Sequence, residues 1–303
     1  MSKSGIDNQC RLCGSKNYRT LLKGIKTAYD EEYALVQCAC GFISISPMPD
    51  EKTLKKYYDQ DYWDSGENAS KSGINKLFEI RMRPALRRLK KHLPNGGRVL
   101  DWGAGDGQWV RMMADAGFES IGIDQYSVNP DNENFINGGI EARELSNRQF
   151  DAITCFHVLE HLRDPIKSIE NALGKLRKHG IMIIEVPNIY SSWFTIFKKR
   201  WQPLEVPTHL NHFNPETLGK IILDNRADII TKEFFSLRAS PSVPVLSVFP
   251  GLTPKLVRRL HQGRYPLPLK LLYLLLQMMA CPLCMITAML KRGSIMRITL
   301  IKK

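Results

Sequence analysis

Two absences frame this sequence. Residues 234–303 contain no aspartate or glutamate, although the chain of 303 residues carries 30 acidic and 43 basic side chains. Residues 1–233 hold 32 basic and 30 acidic side chains, so 11 of the 13 net positive charges fall in the acid-free stretch. That distribution excludes the protein-wide basicity of a nucleic-acid coat and makes a nucleic-acid partner the weaker expectation. The second absence is an apolar run in the opening MSKSGIDNQC, so a secretory signal is not expected and the chain is read as cytoplasmic. Neither an internal repeat nor an aromatic-interleaved RNA-binding module is visible. A hydrophobic share of 43% excludes a wholly disordered chain.

Seven cysteines in a reducing compartment are poor disulfide partners, and four of them cluster before residue 41. Cys10-x2-Cys13 and Cys38-x-Cys40 predict a zinc-knuckle-like lobe over residues 1–50. The second pair is tighter than usual, which leaves open whether all four hold one ion. Residues 51–93 predict a helical linker, with Leu77, Phe78, Met82, Leu86, Leu89 and Leu93 at helical spacing and Pro84 kinking or restarting it. From residue 94 to 237 apolar strands alternate with amphipathic helices, the pattern of an α/β Rossmann-like parallel sheet. In that stretch PIKSIENALGKLRK is expected as one helix ended by Gly180, and Asn214-Pro215 as the start of another.

The sharpest motif follows the strand RVLDW: Asp101-Trp-Gly103-Ala-Gly105-Asp-Gly107. Glycines there let the backbone turn tightly and approach a ligand before the next helix begins. Asp124 ends the following strand, where a carboxylate can accept both hydroxyls of a ribose. The spacing is Gly-x-Gly-x-Gly with an acid two residues upstream. An acid there repels a pyrophosphate but suits an amino-acid ammonium.

With these residues the chain resembles the class I S-adenosylmethionine-dependent methyltransferases, whose first motif is similar to LDWGAGDGQWV. The resemblance implies that Asp101, Gly103, Gly105 and Gly107 line S-adenosylmethionine, that Asp124 binds its ribose, and that Gln125 sits beside the adenine. It also implies a seven-stranded sheet closed by IMRITLIKK at residues 295–303. A methyl acceptor with a hydroxyl needs a base near neutral pH, and the candidates are His157 after the fourth strand and His209 and His212 in PTHLNHF. His157, Glu160 and His161 are expected on one helix face. They resemble the Glu-x-x-Glu-His stretch that ubiquinone-type O-methyltransferases associate with a divalent cation, with His157 in place of the first glutamate. The cysteine lobe, Pro47-Met-Pro49 and the segment from Tyr57-Tyr58 to Tyr62-Trp63 resemble the opening of sugar C-methyltransferases.

Residues 238–294 stand as a 57-residue insertion between the last two strands, Pro-rich and basic before an uncharged run from Leu271 to Leu290. Returning to its own sheet, this insertion cannot cross a bilayer once. Pro282 favours two shorter helices or a re-entrant hairpin. The expectation is a peripheral or monotopic contact with an anionic membrane on its inner face, against the alternative of a buried helical pair or dimer interface. The acceptor is then a glycan or lipid-linked intermediate. A lipophilic quinone-type or polyketide small molecule is the second expectation, and RNA methylation or S-adenosylmethionine binding without catalysis the third.

Overall fold

The computed structural model describes residues 9–58, 74–126, 134–224, 227–252 and 267–303. Two sheets organise it. The smaller belongs to the N-terminal lobe and runs β1 (Tyr18–Lys26), β2 (Glu32–Cys38), β3 (Ile43–Ser46), antiparallel throughout. Its fourth strand is β9 (Asn211–His212), contributed by the core segment just before residue 215, with Ile43 opposite His212 and Ser44 opposite Asn211. Lobe and core therefore share backbone hydrogen bonds where the candidate histidines lie.

The larger sheet comprises β4 (Arg98–Trp102), β5 (Glu119–Asp124), β6 (Phe135–Asn137), β7 (Phe150–Phe156), β8 (Leu176–Pro187), β10 (Ala227–Glu233) and β11 (Ile295–Lys302). Their spatial order is β10-β11-β8-β7-β4-β5-β6. Neighbours from β8 to β6 are parallel, and β11 runs antiparallel to both β8 and β10. The strand order reverses at β4, and the crevice outside its carboxyl end is where such sheets bind ligands. Val99, Leu100, Ile153, Met182 and Ile184 are fully buried, as expected of parallel strands covered on both faces.

The helices are α1 (Glu51–Lys55), α2 (Ile74–His92), α3 (Gln108–Asp115), α4 (Pro165–Lys175), α5 (Ser192–Phe197), α6 (Pro215–Asp224), α7 (Ser242–Val248) and α8 (Leu267–Met289). Asn214 caps α6 as expected, its Oδ1 accepting the N–H groups of Glu216 and Thr217. Three expectations change. Residues 176–178 leave the predicted helix and begin β8, because Leu176 pairs with Phe150 and is fully buried. Pro282 lies inside a single continuous α8 rather than between two helices, whereas Pro84 lies within α2, one of the two places expected for it. His157 is not on a helix face: its φ of 59° turns the chain out of β7 before a short 3-10 turn at Leu159–His161. Tyr62-Trp63 and the cations Lys255, Arg258, Arg259 and Arg264 lie outside the described residues.

Candidate active site

The end of β4 delivers Asp101 into the crevice, and the turn that follows is anchored to the end of β5. Gly103 and Ala104 donate their N–H groups to the Ile123 carbonyl at 2.8 and 3.1 Å, and the Gly105 N–H is held by Asp124 Oδ2 at 2.9 Å. The other oxygen, Oδ1, accepts the Tyr126 N–H at 2.8 Å. Asp124 thus fixes the glycine turn and its own following loop together. Gly103, Gly105 and Gly107 have φ of 82°, 53° and 73°, and a Cβ on Gly103 would stand 2.2 Å from Val158 Cγ2. Only glycine meets both conditions at Gly103. Gln125, beside Asp124, is exposed.

Asp101 is 4% exposed and accepts the Thr154 hydroxyl at 2.7 Å. Thr154 in turn accepts the Trp109 indole N–H at 3.1 Å. Burial pushes the Asp101 carboxyl up to about 7, against a Thr154 hydrogen bond that lowers it. Among the described residues no lysine or arginine is within ion-pair distance of it, and the Arg238 charge acts on it only from farther away. A buried carboxylate in that state gains from an arriving cation, which is the chemistry of an amino-acid ammonium.

One strand over, the end of β7 opens a cluster built on Glu160. His157 faces carboxylates with both ring nitrogens: Nδ1 is 3.3 Å from Glu160 Oε1 and Nε2 is 3.1 Å from Glu185 Oε1. Burial alone would lower its pKa, but the Glu160 and Glu185 carboxylates raise it to about 9. At neutral pH the ring is a clamped imidazolium, which has no lone pair to accept a proton. Glu185 also accepts from Arg297 and, at 3.0 Å, from the Ser236 hydroxyl.

His161 and His209 meet edge to face, with ring centroids 4.6 Å apart. His209 donates Nδ1–H to the Pro203 carbonyl at 2.8 Å, and His161 Nδ1 lies 3.0 Å from the Thr208 carbonyl and 2.9 Å from the Tyr58 hydroxyl. A carbonyl only accepts, so both rings carry a proton on Nδ1; this leaves His161 Nε2 as a lone pair, while His209 Nε2 faces Glu205 Oε2 at 3.3 Å. Glu160, His161 and His209 offer ligand atoms all within 4.8 Å of one another, and Glu160 Oε2, on a side chain 1% exposed, has no hydrogen-bond partner among the described residues. These residues fit a divalent cation, with His209 standing where the resemblance implies position 157. Burial, then the neighbouring His209, pushes the His212 pKa down to about 3, and its buried Nε2 has no partner among the described residues.

In the lobe the four cysteines converge. Cys10 and Cys40 sulfurs are 3.6 Å apart, those of Cys13 and Cys38 are 3.5 Å apart, and all four lie within 4.8 Å of one another. Tetrahedral zinc with sulfurs at about 2.3 Å puts them just under ~4 Å apart, so the set fits one ion.

Glu185, Arg297 and Thr154 join the site although no motif singles them out, and Tyr58 joins it from the Tyr-rich segment noted above. Glu185 and Arg297 left a signal: each is the sole charge in an otherwise apolar strand segment, IMIIEVP and IMRITLI, and the register places them opposite each other. Tyr58 stacks on Tyr126 with ring centroids 4.8 Å apart and planes at 11°, which brings the segment after α1 against the residue two past Asp124.

A profile described as Methyltransferase domain matches residues 76–226. The ubiquinone biosynthesis O-methyltransferase of Rickettsia felis is 21% identical over 214 residues, covering 64% of this chain and 86% of its own. A probable S-adenosylmethionine-dependent methyltransferase of Mycolicibacterium smegmatis is 22% identical over 186 residues, 59% of this chain and 64% of its own. Among solved structures, a SAM-dependent methyltransferase from Archaeoglobus fulgidus is 20% identical, with a TM-score of 0.46 over 75% of this chain and 94% of its own. The domain match spans both the Asp101 turn and the Asp124 anchor at the sheet's reversal point, and the chain belongs to the class I S-adenosylmethionine-dependent methyltransferases.

Proposed function

We propose that this methyltransferase acts on a glycan or lipid-linked acceptor at the cytoplasmic surface of an anionic membrane. The observation that carries the cofactor half is the buried Asp101 carboxylate beside a glycine turn tied to Asp124. S-adenosylmethionine, when bound, supplies an electrophilic methyl carbon on a sulfonium. Asp101 neutralises its ammonium, Asp124 orients its ribose hydroxyls, and Gln125 lies on the adenine side. In-line transfer then depends on holding the acceptor in place and excluding water.

For the acceptor proton, His212 offers a buried Nε2 with no partner among the described residues, but with its pKa pushed down to about 3 it would take a proton only from an acceptor hydroxyl acidified by the bound cation. His157, with both nitrogens on carboxylates, is a positioning residue that orients Glu160. Glu160, His161 and His209 would hold a divalent cation that draws the acceptor oxygen toward the cluster.

The lobe would hold one zinc ion on Cys10, Cys13, Cys38 and Cys40. Four thiolates leave zinc no open position, so its role is structural. Cys38→Ser is expected to lose one equivalent of bound metal by elemental analysis and to lower the melting temperature. Unchanged metal content would sink the assignment. The effect should reach the core, since Cys10 and Cys38 pack in the same buried cluster as Leu100 and Cys155.

A second reading, a lipophilic phenol such as a quinone precursor, draws on relatives named ubiquinone biosynthesis O-methyltransferase. Transfer of labelled methyl into cell extracts, resolved into lipid-linked, glycan, small-molecule and RNA fractions, separates the readings. Label in the first two is expected, and label confined to small molecules selects the second reading. Label in RNA overturns both.

A further inference from the structure

The last acid-free stretch carries a helix built inside out. Along α8 the protein-facing stripe holds the polar groups: Tyr273, Gln277 and Cys284 are buried, and Thr287 is half-buried. Gln277 accepts from Arg81 at 2.5 Å and donates to the Ser242 hydroxyl at 2.7 Å, which fastens the helix to α2 and α7. The Cys284 thiol reaches the Ser240 carbonyl at 3.3 Å. The opposite face holds Leu271, Leu272, Leu275, Met278, Met279 and Leu283, each at least 50% exposed. Through its full length that face presents no polar side chain. A water-facing helix normally shows the reverse pattern.

The helix has the length and composition to cross a bilayer, with a mean hydropathy of 1.9 in its most apolar window. Its attachments forbid it. The polar stripe is bonded to the protein along the helix, and immediately afterwards Ser192 and Asn188 donate to the carbonyls of Arg292 and Ser294 at 2.9 Å as β11 enters the central sheet. An apolar face about 35 Å long, from 1.5 Å of rise per residue, therefore lies along the protein surface. The neighbouring α7 ends at exposed Val248 before exposed Phe249, Arg200 donates to the Val248 carbonyl at 2.9 Å, and Ile196, Lys198 and Lys199 are exposed. Lys291 and Arg292 flank the other end, and both are exposed.

Resting on the membrane half of the proposed function, we propose that α8 lies in the plane of one anionic leaflet. Its leucine and methionine face enters the acyl boundary, and Lys198, Lys199, Arg200, Lys291 and Arg292 meet the phosphate headgroups. Charge decides the occupant: a second copy of this chain would bring the same cations and no acid from residues 234–303 to answer them, whereas an anionic leaflet answers all of them.

The test is flotation of the purified full chain with phosphatidylcholine vesicles, with and without phosphatidylglycerol. S-adenosylmethionine binding is measured on the same samples, so failure of the cofactor reading would register separately. Wild type is expected to float with the anionic vesicles only. Leu275→Asp/Met279→Asp, both exposed and so compatible with folding, should cut partitioning at least tenfold with cofactor binding and melting temperature unchanged. Lys291→Glu/Arg292→Glu should weaken the anionic preference. Flotation of the aspartate variant at the wild-type level would overturn the proposal. So would a stable dimer that the same variant dissociates while wild type ignores every vesicle.

Discussion

Asp101→Asn is expected to melt at a higher temperature than wild type above neutral pH and to bind no S-adenosylmethionine. The unfolded carboxyl titrates near 3.8, whereas burial holds the folded one near 7. The folded chain thus keeps a proton that the unfolded chain has released across that window. Stability contributed by the protonated form is full below 3.8 and is lost as pH rises through about 7. The difference of about three pKa units corresponds to an upper bound of about 4 kcal/mol. Asparagine keeps the oxygen that Thr154 donates to and removes the charge, so the variant escapes that loss. The same substitution removes the anion that answers the cofactor ammonium. Calorimetry across the pH range checks both halves. A variant that melts no higher than wild type at alkaline pH, or that binds the cofactor normally, would refute the account.

That carboxylate was legible in the sequence because its chemistry is local. An acid, three glycines and a strand end fall within seven residues, and Asp124 closes the turn one strand later. What lay outside the sequence reading depends on partners brought from far away. His157 looked like a base when taken with Glu160 alone. Its second partner, Glu185, lies 28 residues on, and Arg297 answers Glu185 from 112 residues further. No spacing rule connects those distances, and the change of role from base to clamped cation follows from them. Pro282 failed as a helix breaker for a similar reason. Its ring sits on the exposed side of α8, and the contacts of Tyr273, Gln277 and Cys284 hold the helix together around it. At residues 176–178 helix propensity lost to the pairing of Leu176 with Phe150.

The buried charges that escaped the sequence reading carry the other large expected effect. Arg297→Met should destabilise the fold by about 3–5 kcal/mol, because it leaves Glu185 ionised at 1% exposure with His157, the Ser236 hydroxyl and the more distant Arg238 charge to answer it. Glu185→Leu in the same chain removes the stranded charge and restores an apolar strand pair between β8 and β11. Such replacements of a buried pair are often neutral, so the double variant should recover most of the lost stability. It should not recover methyl transfer. Without Glu185 the His157 ring loses one of the two carboxylates that raise its pKa to about 9, and Glu160 loses the orientation that the clamped imidazolium imposes. Imidazole titration of His157 by NMR should show its pKa falling in the double variant, while denaturation shows the fold restored. Were the double variant no more stable than Arg297→Met, the network would be held by packing rather than by charge. Were it fully active, His157 would have no positioning role. Separating the two readouts matters because the ion pair spans the join between the last strand and the catalytic end of β8. Stability and transfer would fall together in the single variant and part only in the double.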